Sequence, residues 1–235
     1  MKLSGKFGCK DLYGASKNGP FWLKQPDEQQ IKILDNHPQL QRFQPLKLKW
    51  WLIPPNTRPF KELKNRYKES IIMVIGRGPS LDSLTFEDVE NLDVIIACNS
   101  AVKPVCDLGH PNTYNVQCDP GAGCNYDKRS TPVIIVNSSH FYMDAHILYI
   151  PHPNELPIKR WHPVGCMGIG LAKYLGAKKI LLCGFDGAFG GSLKYATCAA
   201  KHINKMYTNP SRFRQHKKPM LAALKGCDWE ILKTK

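Results

Sequence analysis

The feature that most constrains the fold of this chain is a series of short apolar runs beyond residue 70. The two clearest runs cover residues 71–75 and 179–183, and a glycine follows each of them directly. Strands that are apolar at every position are typical of parallel sheets with both faces covered by helices. Seven strands are predicted in this way, over residues 71–75, 93–98, 113–116, 132–136, 146–150, 179–183 and 229–232.

Helices are predicted between several of these strands, over residues 84–92, 166–175 and 219–225. The last two end at Gly176 and Gly226, and glycine commonly terminates helices. The alternation of strands and helices predicts an α/β fold with right-handed crossovers. Its architecture is expected to be three-layer α/β/α, with a mostly parallel, Rossmann-like sheet.

The first 69 residues have a different texture, because glycine and proline recur too often for long regular elements. One short helix is predicted over residues 27–35. The aromatic side chains, among them Trp50, Trp51 and Phe60, predict that this segment packs on the core. The expected organisation is an irregular, aromatic- and proline-rich extension over residues 1–69 and an α/β domain over residues 70–235.

Charge and cysteine content bear on partners and location. The net charge is +14, with basic ends and a nearly neutral stretch over residues 71–193. The basic ends favour contact with a polyanion, or they are merely solvated. Nine cysteines cannot all pair, which favours a reducing compartment. With no signal-like or membrane-spanning apolar run, a cytoplasmic protein without a transmembrane segment is expected, and its oligomeric state is left open.

A glycine-rich turn, Gly76-Arg77-Gly78-Pro79-Ser80, follows the first predicted strand directly. Glycine permits a sharp turn and a close approach of a ligand, proline stiffens the turn, and the serine hydroxyl can bond a phosphate. In folds of this class, nucleotides bind at such a turn. The turn matches neither a Walker A loop nor the dinucleotide fingerprint, and a purely structural turn is the alternative.

Other polar or small residues follow later predicted strands or begin a helix. Asn99 ends the second strand, where its amide can read a base or ribose, or stabilise its own turn. A helix beginning near Gly165 and Cys166 presents N–H groups to an anion, or packs closely on the sheet. Asp186 follows the sixth strand and can bind a metal, accept from a sugar hydroxyl or cap a turn. No tight metal-ligand spacing is present, so no metal site is predicted.

His216 lies in a basic stretch and is the candidate for proton transfer. Arg212, Arg214, Lys217 and Lys218 surround it in sequence and suit a phosphate-bearing substrate. The imidazole can move a proton near neutral pH. A structural histidine is the alternative.

The order of these motifs resembles the bacterial sialyltransferases that build lipooligosaccharide outer cores. The resemblance comprises Gly-x-Gly-Pro-Ser-Leu after a strand, Cys-Asn after the next, a small-residue helix, Leu-Gly-x-x-x-Ile-x-Leu-x-Gly-x-Asp and a late histidine. It covers about residues 70–235 and extends to 6-hydroxymethylpterin diphosphokinase-like proteins. It implies a nucleotide-binding α/β/α domain that transfers a sugar from a nucleotide donor, typically a CMP-sugar, without a metal cofactor.

The resemblance also implies roles for individual residues. Tyr195 would stabilise the leaving phosphate, and His216 would be the general base. The sialyltransferases have asparagine where this chain has Arg77, whose charge can also stabilise the phosphate. The predicted nucleotide-binding residues are Gly76, Gly78, Pro79, Ser80, Asn99, Gly165, Cys166 and Asp186.

A second departure limits what the resemblance implies. Phe189 lies near the place of a second phosphate-stabilising tyrosine, and phenylalanine cannot donate a hydrogen bond. Sialic acid specificity therefore does not carry over.

The prediction is a glycosyltransferase-like enzyme that uses a nucleotide-sugar donor and a hydroxyl acceptor, without a cofactor. The alternatives are a Mg²⁺-dependent diphosphotransferase, for which only Asp119 and Asp186 stand out, and a non-catalytic polyanion-binding protein.

Overall fold

The apolar runs form a single parallel sheet. The structure is a computed structural model that describes residues 57–117, 133–135, 147–149, 163–191, 194–198 and 210–232. In this part of the chain, eight strands pair in the order β1-β6-β5-β4-β3-β2-β7-β8, and every neighbouring pair is parallel. The strands are β1 (Thr57–Arg58), β2 (Ile71–Ile75), β3 (Val94–Cys98), β4 (Thr113–Gln117), β5 (Val133–Ile135), β6 (Leu148–Tyr149), β7 (Lys179–Cys183) and β8 (Asp228–Ile231).

The strand order reverses at β2. From β2 the chain proceeds through β3 to β6 on one side, and it then returns to place β7 on the other side of β2. Ile75, at the end of β2, lies opposite Ala97 of β3 and Cys183 of β7. The carboxyl ends of these three strands therefore lie side by side, at the kind of position where open α/β sheets bind ligands.

Helices cover both faces of the sheet. Helices α2 (Val164–Leu175) and α3 (Pro210–Leu224) pack on the face that carries Ile72, Val74 and Ile96. Helix α1 (Val102–Asp107) packs on the opposite face, with Met73, Ile75 and Ile95. The fold is therefore the expected three-layer α/β/α arrangement.

The strand predictions agree with the structure. All seven predicted strands are present, two with the predicted bounds and the others with bounds that differ by one to three residues in total. The additional strand β1 lies inside the predicted extension, as does the turn of 3-10 helix Phe60–Leu63. Phe60 and Leu63 are buried in the core, so the last residues of that extension contribute to the domain. Residues 1–56, including the helix predicted over 27–35, lie outside the described residues.

The helix predictions agree less well. The helix predicted over residues 84–92 is wrong, because this stretch forms successive turns with Leu84 and Val89 buried. Helix α1 was not predicted. Helix α2 begins two residues before the predicted start, and α3 begins at Pro210, well before the predicted residue 219. Within the described ranges, no helix combines the length and apolarity that crossing a bilayer requires.

Candidate functional site

The loops that follow β2 and β7 are bonded to each other along their length. The Gly76 N–H donates to the Cys183 carbonyl at 2.8 Å, and the Gly78 N–H donates to the Gly184 carbonyl at 2.7 Å. Between them, the Ser80 hydroxyl donates to an Asp186 carboxylate oxygen at 3.0 Å and accepts the Gly184 N–H at 2.8 Å. The two loops therefore form one rigid unit at the carboxyl edge.

The glycines of this turn are required by contacts within the chain. A Cβ at Gly76 would collide with the Gly184 carbonyl, and one at Gly78 would collide with the Asp186 carboxylate. The close approach that the sequence suggested for a ligand is thus made, in the structure, by the loop after β7. The roles of Gly76, Gly78, Ser80 and Asp186 in nucleotide binding stay predictions.

The Phe185 ring occupies the space beside the start of α2. A Cβ at Gly165 would come within 2.5 Å of the ring, and one at Gly76 within 2.9 Å. Cys166 is fully buried, its N–H donates to the Pro163 carbonyl at 2.8 Å, and burial raises the pKa of its thiol to about 12. The first turn of α2 is therefore packed against Phe185, and its thiol is kept protonated.

Arg77 and Tyr195, which are far apart in sequence, are in direct contact. The Arg77 Nη2 donates to the Tyr195 hydroxyl oxygen at 3.1 Å, and the guanidinium carbon lies 4.3 Å from the centre of the tyrosine ring. Tyr195 is 6% exposed. Among the described residues, the ion pairs are Lys103–Asp107 and Lys179–Glu230, and no carboxylate there pairs with Arg77. The guanidinium charge at this edge is therefore not neutralised by a described acid.

The segment around Tyr195 is attached to the glycine-rich turn through its backbone. The Ala196 N–H donates to the Arg77 carbonyl at 2.8 Å. The next two N–H groups, of Thr197 and Cys198, donate to the two carboxylate oxygens of Asp82 at 2.6 and 2.9 Å. Asp82 was not among the predicted site residues, although it lies two positions after Ser80.

A buried polar cluster lies at the carboxyl ends of β3 and β4. Asn99 adopts a left-handed backbone with φ 51°, a conformation that asparagine tolerates better than most residues. The Gln117 side-chain amide donates to the Asn99 carbonyl at 3.3 Å and to the side-chain oxygen of Asn115. Ser100 is 1% exposed, and its hydroxyl is the single buried side-chain polar atom in the described part of the chain that lacks a partner.

This cluster was only partly predicted. Asn99 is a predicted site residue, whereas Ser100, Asn115 and Gln117 are not. The available signal was the pair of amide side chains, Asn115 and Gln117, within a strand whose five residues are all buried. Such side chains need hydrogen-bond partners when they are buried. Asn99 therefore lies next to further groups that can donate or accept hydrogen bonds.

His216 lies on a different structural element from Arg77 and Tyr195. It is a half-buried residue of α3, which packs on the same face as α2 and against the 3-10 turn Asp186–Phe189. The segment that carries Tyr195 lies on the opposite face, where Ala196 packs with Leu81. The structure thus brings Arg77 and Tyr195, two of the three predicted catalytic residues, into contact, while His216 lies on a helix of the other face.

The remaining predicted residues lie at the same edge of the sheet. Pro79 begins the 3-10 turn Pro79–Ser83, directly after Gly78. Arg77, Asn99, Gly165 and Asp186 each follow or adjoin a strand end of the carboxyl edge, as the sequence predicted. Within the described residues, no three His, Cys, Asp or Glu side chains are grouped so that they could hold a metal ion.

Comparisons with known proteins gave only distant similarities. No protein-family model and no curated protein matches the sequence. A mammalian sialyltransferase structure is similar at 15% identity with a TM-score of 0.49, over 96% of this chain and 86% of that chain. The same type of enzyme in complex with Gal-β-1-3GalNAc-ortho-nitrophenol gives 14% identity and a TM-score of 0.46, with coverage of 96% and 86%.

A third solved structure is the MAf glycosyltransferase from Magnetospirillum magneticum AMB-1. Its similarity is 14% identity with a TM-score of 0.46 over 73% of this chain. The chain spans only 35% of the length of that protein. Similarity this distant carries no argument about activity, so the α/β/α assignment rests on the strand order and the two covered faces of the sheet.

Proposed function

We propose that this chain is a glycosyltransferase that takes a sugar from a nucleotide-sugar donor and transfers it to an acceptor hydroxyl. The observation that carries the proposal is the Arg77 guanidinium stacked on Tyr195 at the carboxyl edge, where the strand order reverses. A guanidinium that is not paired with a described carboxylate suits a phosphate group, since its planar donors match phosphate oxygens. The motif order described above supports the same assignment.

In the proposed mechanism, Arg77 and Tyr195 act on the departing phosphate. As the bond between the anomeric carbon and the phosphate oxygen breaks, negative charge develops on that oxygen. A guanidinium and a phenol already in position stabilise this charge without having to reorganise. Because the loops after β2 and β7 are bonded together, the Arg77 backbone is fixed where that charge would form.

The polar cluster at β3 and β4 is proposed to bind the neutral part of the donor. Asn99 and its neighbours can donate and accept hydrogen bonds, as recognition of a base, a ribose or a sugar hydroxyl requires. The left-handed backbone at Asn99 costs free energy, and such conformations concentrate at functional sites. Asn99 follows β3, the strand next to β2, and Asn115 and Gln117 lie on β4, one strand further from Arg77.

The acceptor hydroxyl attacks the anomeric carbon, a new C–O bond forms there, and the nucleotide leaves with its phosphate. The acceptor proton has to go to a base, and His216 is the proposed base. Since α3 packs on the face opposite the Tyr195 segment, this role rests on the motif order, and it requires its own test.

A thermal-shift screen tests the binding part of the proposal. We expect CMP to raise the melting temperature without Mg²⁺, because ligands that bind the native state stabilise it. Arg77→Ala is expected to weaken CMP binding by about tenfold or more. Lys178→Ala is the matched control, since it removes an exposed cation that directly precedes β7, at the other edge of the sheet.

The same screen distinguishes the alternatives. A shift with ATP and Mg²⁺ but not with CMP would favour a diphosphotransferase. Salt-dependent binding of DNA or RNA without any nucleotide shift would favour a polyanion-binding protein. No shift with any nucleotide would contradict the proposed transferase.

Donor turnover tests the catalytic part. With a CMP-sugar as donor, we expect His216→Ala to hydrolyse or transfer the sugar about a hundredfold more slowly than the wild type. Equal rates in the two proteins would remove His216 from the mechanism and leave the Arg77–Tyr195 assignment intact.

A further inference from the structure

We propose that Asp82 is a positioning residue, whose carboxylate holds residues 194–198 against the glycine-rich turn so that Tyr195 stays paired with Arg77. This inference rests on the proposed function, because it names the residue that maintains the phosphate-binding pair. Asp82 itself would not touch the ligand.

Three consecutive backbone N–H groups of the segment donate hydrogen bonds to the glycine-rich turn and to Asp82. Ala196 donates to the Arg77 carbonyl at 2.8 Å, while Thr197 and Cys198 donate to separate oxygens of the Asp82 carboxylate at 2.6 and 2.9 Å. Tyr195 directly precedes these three residues. Two of these three backbone hydrogen bonds therefore depend on one side chain, and both are charge-assisted.

Asp82 is itself firmly placed. It lies in the 3-10 turn Pro79–Ser83, in which the neighbouring Leu81 is 4% exposed and packs in the core. The same turn contains Ser80, which is bonded to Asp186 and Gly184. The carboxylate is thus presented from a rigid support, as a group that positions another residue requires.

The position of the segment also affects Arg77, because Arg77 is in contact with Tyr195. The guanidinium both stacks on the Tyr195 ring and donates to its hydroxyl oxygen. If the segment moves, the guanidinium loses the surface that orients it. Asp82 would therefore influence phosphate binding through Tyr195 and Arg77, although it lies outside the pair.

Amide hydrogen exchange measured by NMR tests the positioning directly, and it needs no ligand. In Asp82→Ala, the Thr197 and Cys198 amides lose their acceptor and must exchange faster in any case. The informative amide is Ala196, which bonds to Arg77 rather than to Asp82. We expect its exchange to become about tenfold faster as well, because the segment detaches as a unit.

Asp88→Ala is the matched control. The Asp88 carboxylate also accepts a backbone N–H, from Thr85 at 2.9 Å, but only within its own exposed turn. It should leave the exchange of Ala196 unchanged. Asp82→Asn keeps one acceptor oxygen and should give an intermediate rate. Unchanged Ala196 exchange in Asp82→Ala would overturn the proposal.

Binding of CMP provides the second readout. We expect Asp82→Ala to weaken CMP binding by about tenfold, and to weaken it little further when Arg77 is already alanine. Loss of Ala196 protection with unchanged CMP affinity would overturn the link to the phosphate-binding pair. If the wild type binds no CMP, the proposed function fails and that link with it, while Ala196 exchange still decides whether Asp82 positions the segment.

Discussion

At the scale of single residues, Ser80 connects the two loops of the candidate site. Its hydroxyl donates to Asp186 and accepts from the Gly184 N–H, and its own N–H donates to Asp186 at 3.2 Å. A serine in a glycine-rich turn is readily interpreted as a phosphate ligand. Here the hydroxyl uses both a donor and an acceptor function within the protein, so its clearest role is to keep the loops together.

Removing that hydroxyl should therefore lower stability. We expect Ser80→Ala to reduce the free energy of unfolding by about 1–3 kcal/mol, because the Gly184 N–H loses its acceptor. Ser83→Ala is the control, since the Ser83 hydroxyl is exposed and donates only to the Ser80 carbonyl at 3.3 Å. Urea unfolding measures both. Equal, small losses in the two variants would show that Ser80 does not connect the loops.

Gly165 and Phe185 form a second pair that can be tested. A methyl group at Gly165 would come within 2.5 Å of the Phe185 ring, so Gly165→Ala should cost about 1–3 kcal/mol of unfolding free energy. In a Phe185→Leu background the same substitution should cost less, because the smaller side chain leaves room. A double-mutant cycle by urea unfolding measures the coupling. Strictly additive losses of unfolding free energy would mean that there is no steric conflict between a side chain at position 165 and the Phe185 ring.

At the scale of elements, the sequence predicted strands better than helices. Strands β2 and β3 are uninterrupted apolar runs, and β7 is one after Lys179. This pattern depends only on burial of both faces. Helix α1 was not predicted. It is six residues long and contains Pro104, a residue that is tolerated in a first helical turn. Helix α3 was predicted to begin at Pro219, whereas the helix contains that proline in its interior.

The candidate site was predictable only in part for a related reason. Residues at strand ends converge because the strands are parallel, and this placed Arg77, Asn99 and Asp186 at one edge. Whether the space between such residues is open depends on side chains from other loops. That Phe185 fills the space beside Gly165, and that Asp82 reaches Thr197, follows from packing that no local pattern contains.

The hydrogen bonds that residues 197 and 198 donate to Asp82 predict how the stability of the protein depends on pH. Burial raises the pKa of Asp82, but hydrogen bonds from the backbone N–H groups of Cys198 and Thr197 outweigh it and hold the pKa below its ordinary value. Because the folded-state pKa is depressed, the stabilisation is present above the unfolded value of about 4 and is lost as the pH falls through the folded value.

The measurement compares wild type with Asp82→Asn by urea unfolding at several pH values. The wild type should be more stable above about pH 5, and the difference should shrink as the pH falls below about 4. Asp88→Asn, in a neighbouring turn, serves as the control for general charge effects. A difference that is constant from pH 7 to pH 3 would contradict the role of ionised Asp82.

At the scale of the whole molecule, the core extends into the segment that the sequence assigned to an irregular extension. Leu63 is fully buried, and Phe60 stacks on Tyr174 of α2 with ring centres 4.6 Å apart. The preceding strand β1 pairs with β6 at the far edge of the sheet. Residues 57–69 therefore contribute to the stability of the domain.

Truncating one of these side chains tests this directly. We expect Leu63→Ala to lower the free energy of unfolding by about 2–5 kcal/mol, the usual range for a buried leucine. Lys61→Ala, an exposed position in the same 3-10 turn, should change it by less than about 0.5 kcal/mol. Chemical denaturation of the full chain measures both. A cost at Leu63 no larger than at Lys61 would separate this segment from the core.

The position of β2, where the strand order reverses, has a consequence for how the protein is made. Its partner β7 is synthesised only after the four intervening strands, β3 to β6. Until then one edge of β2 has no neighbour, and the two loops of the candidate site cannot join. Pairings between distant parts of a chain form slowly and expose apolar surface to aggregation meanwhile. Nascent chains that stop before residue 179 should therefore depend on chaperones, whereas chains that include β7 can close the sheet.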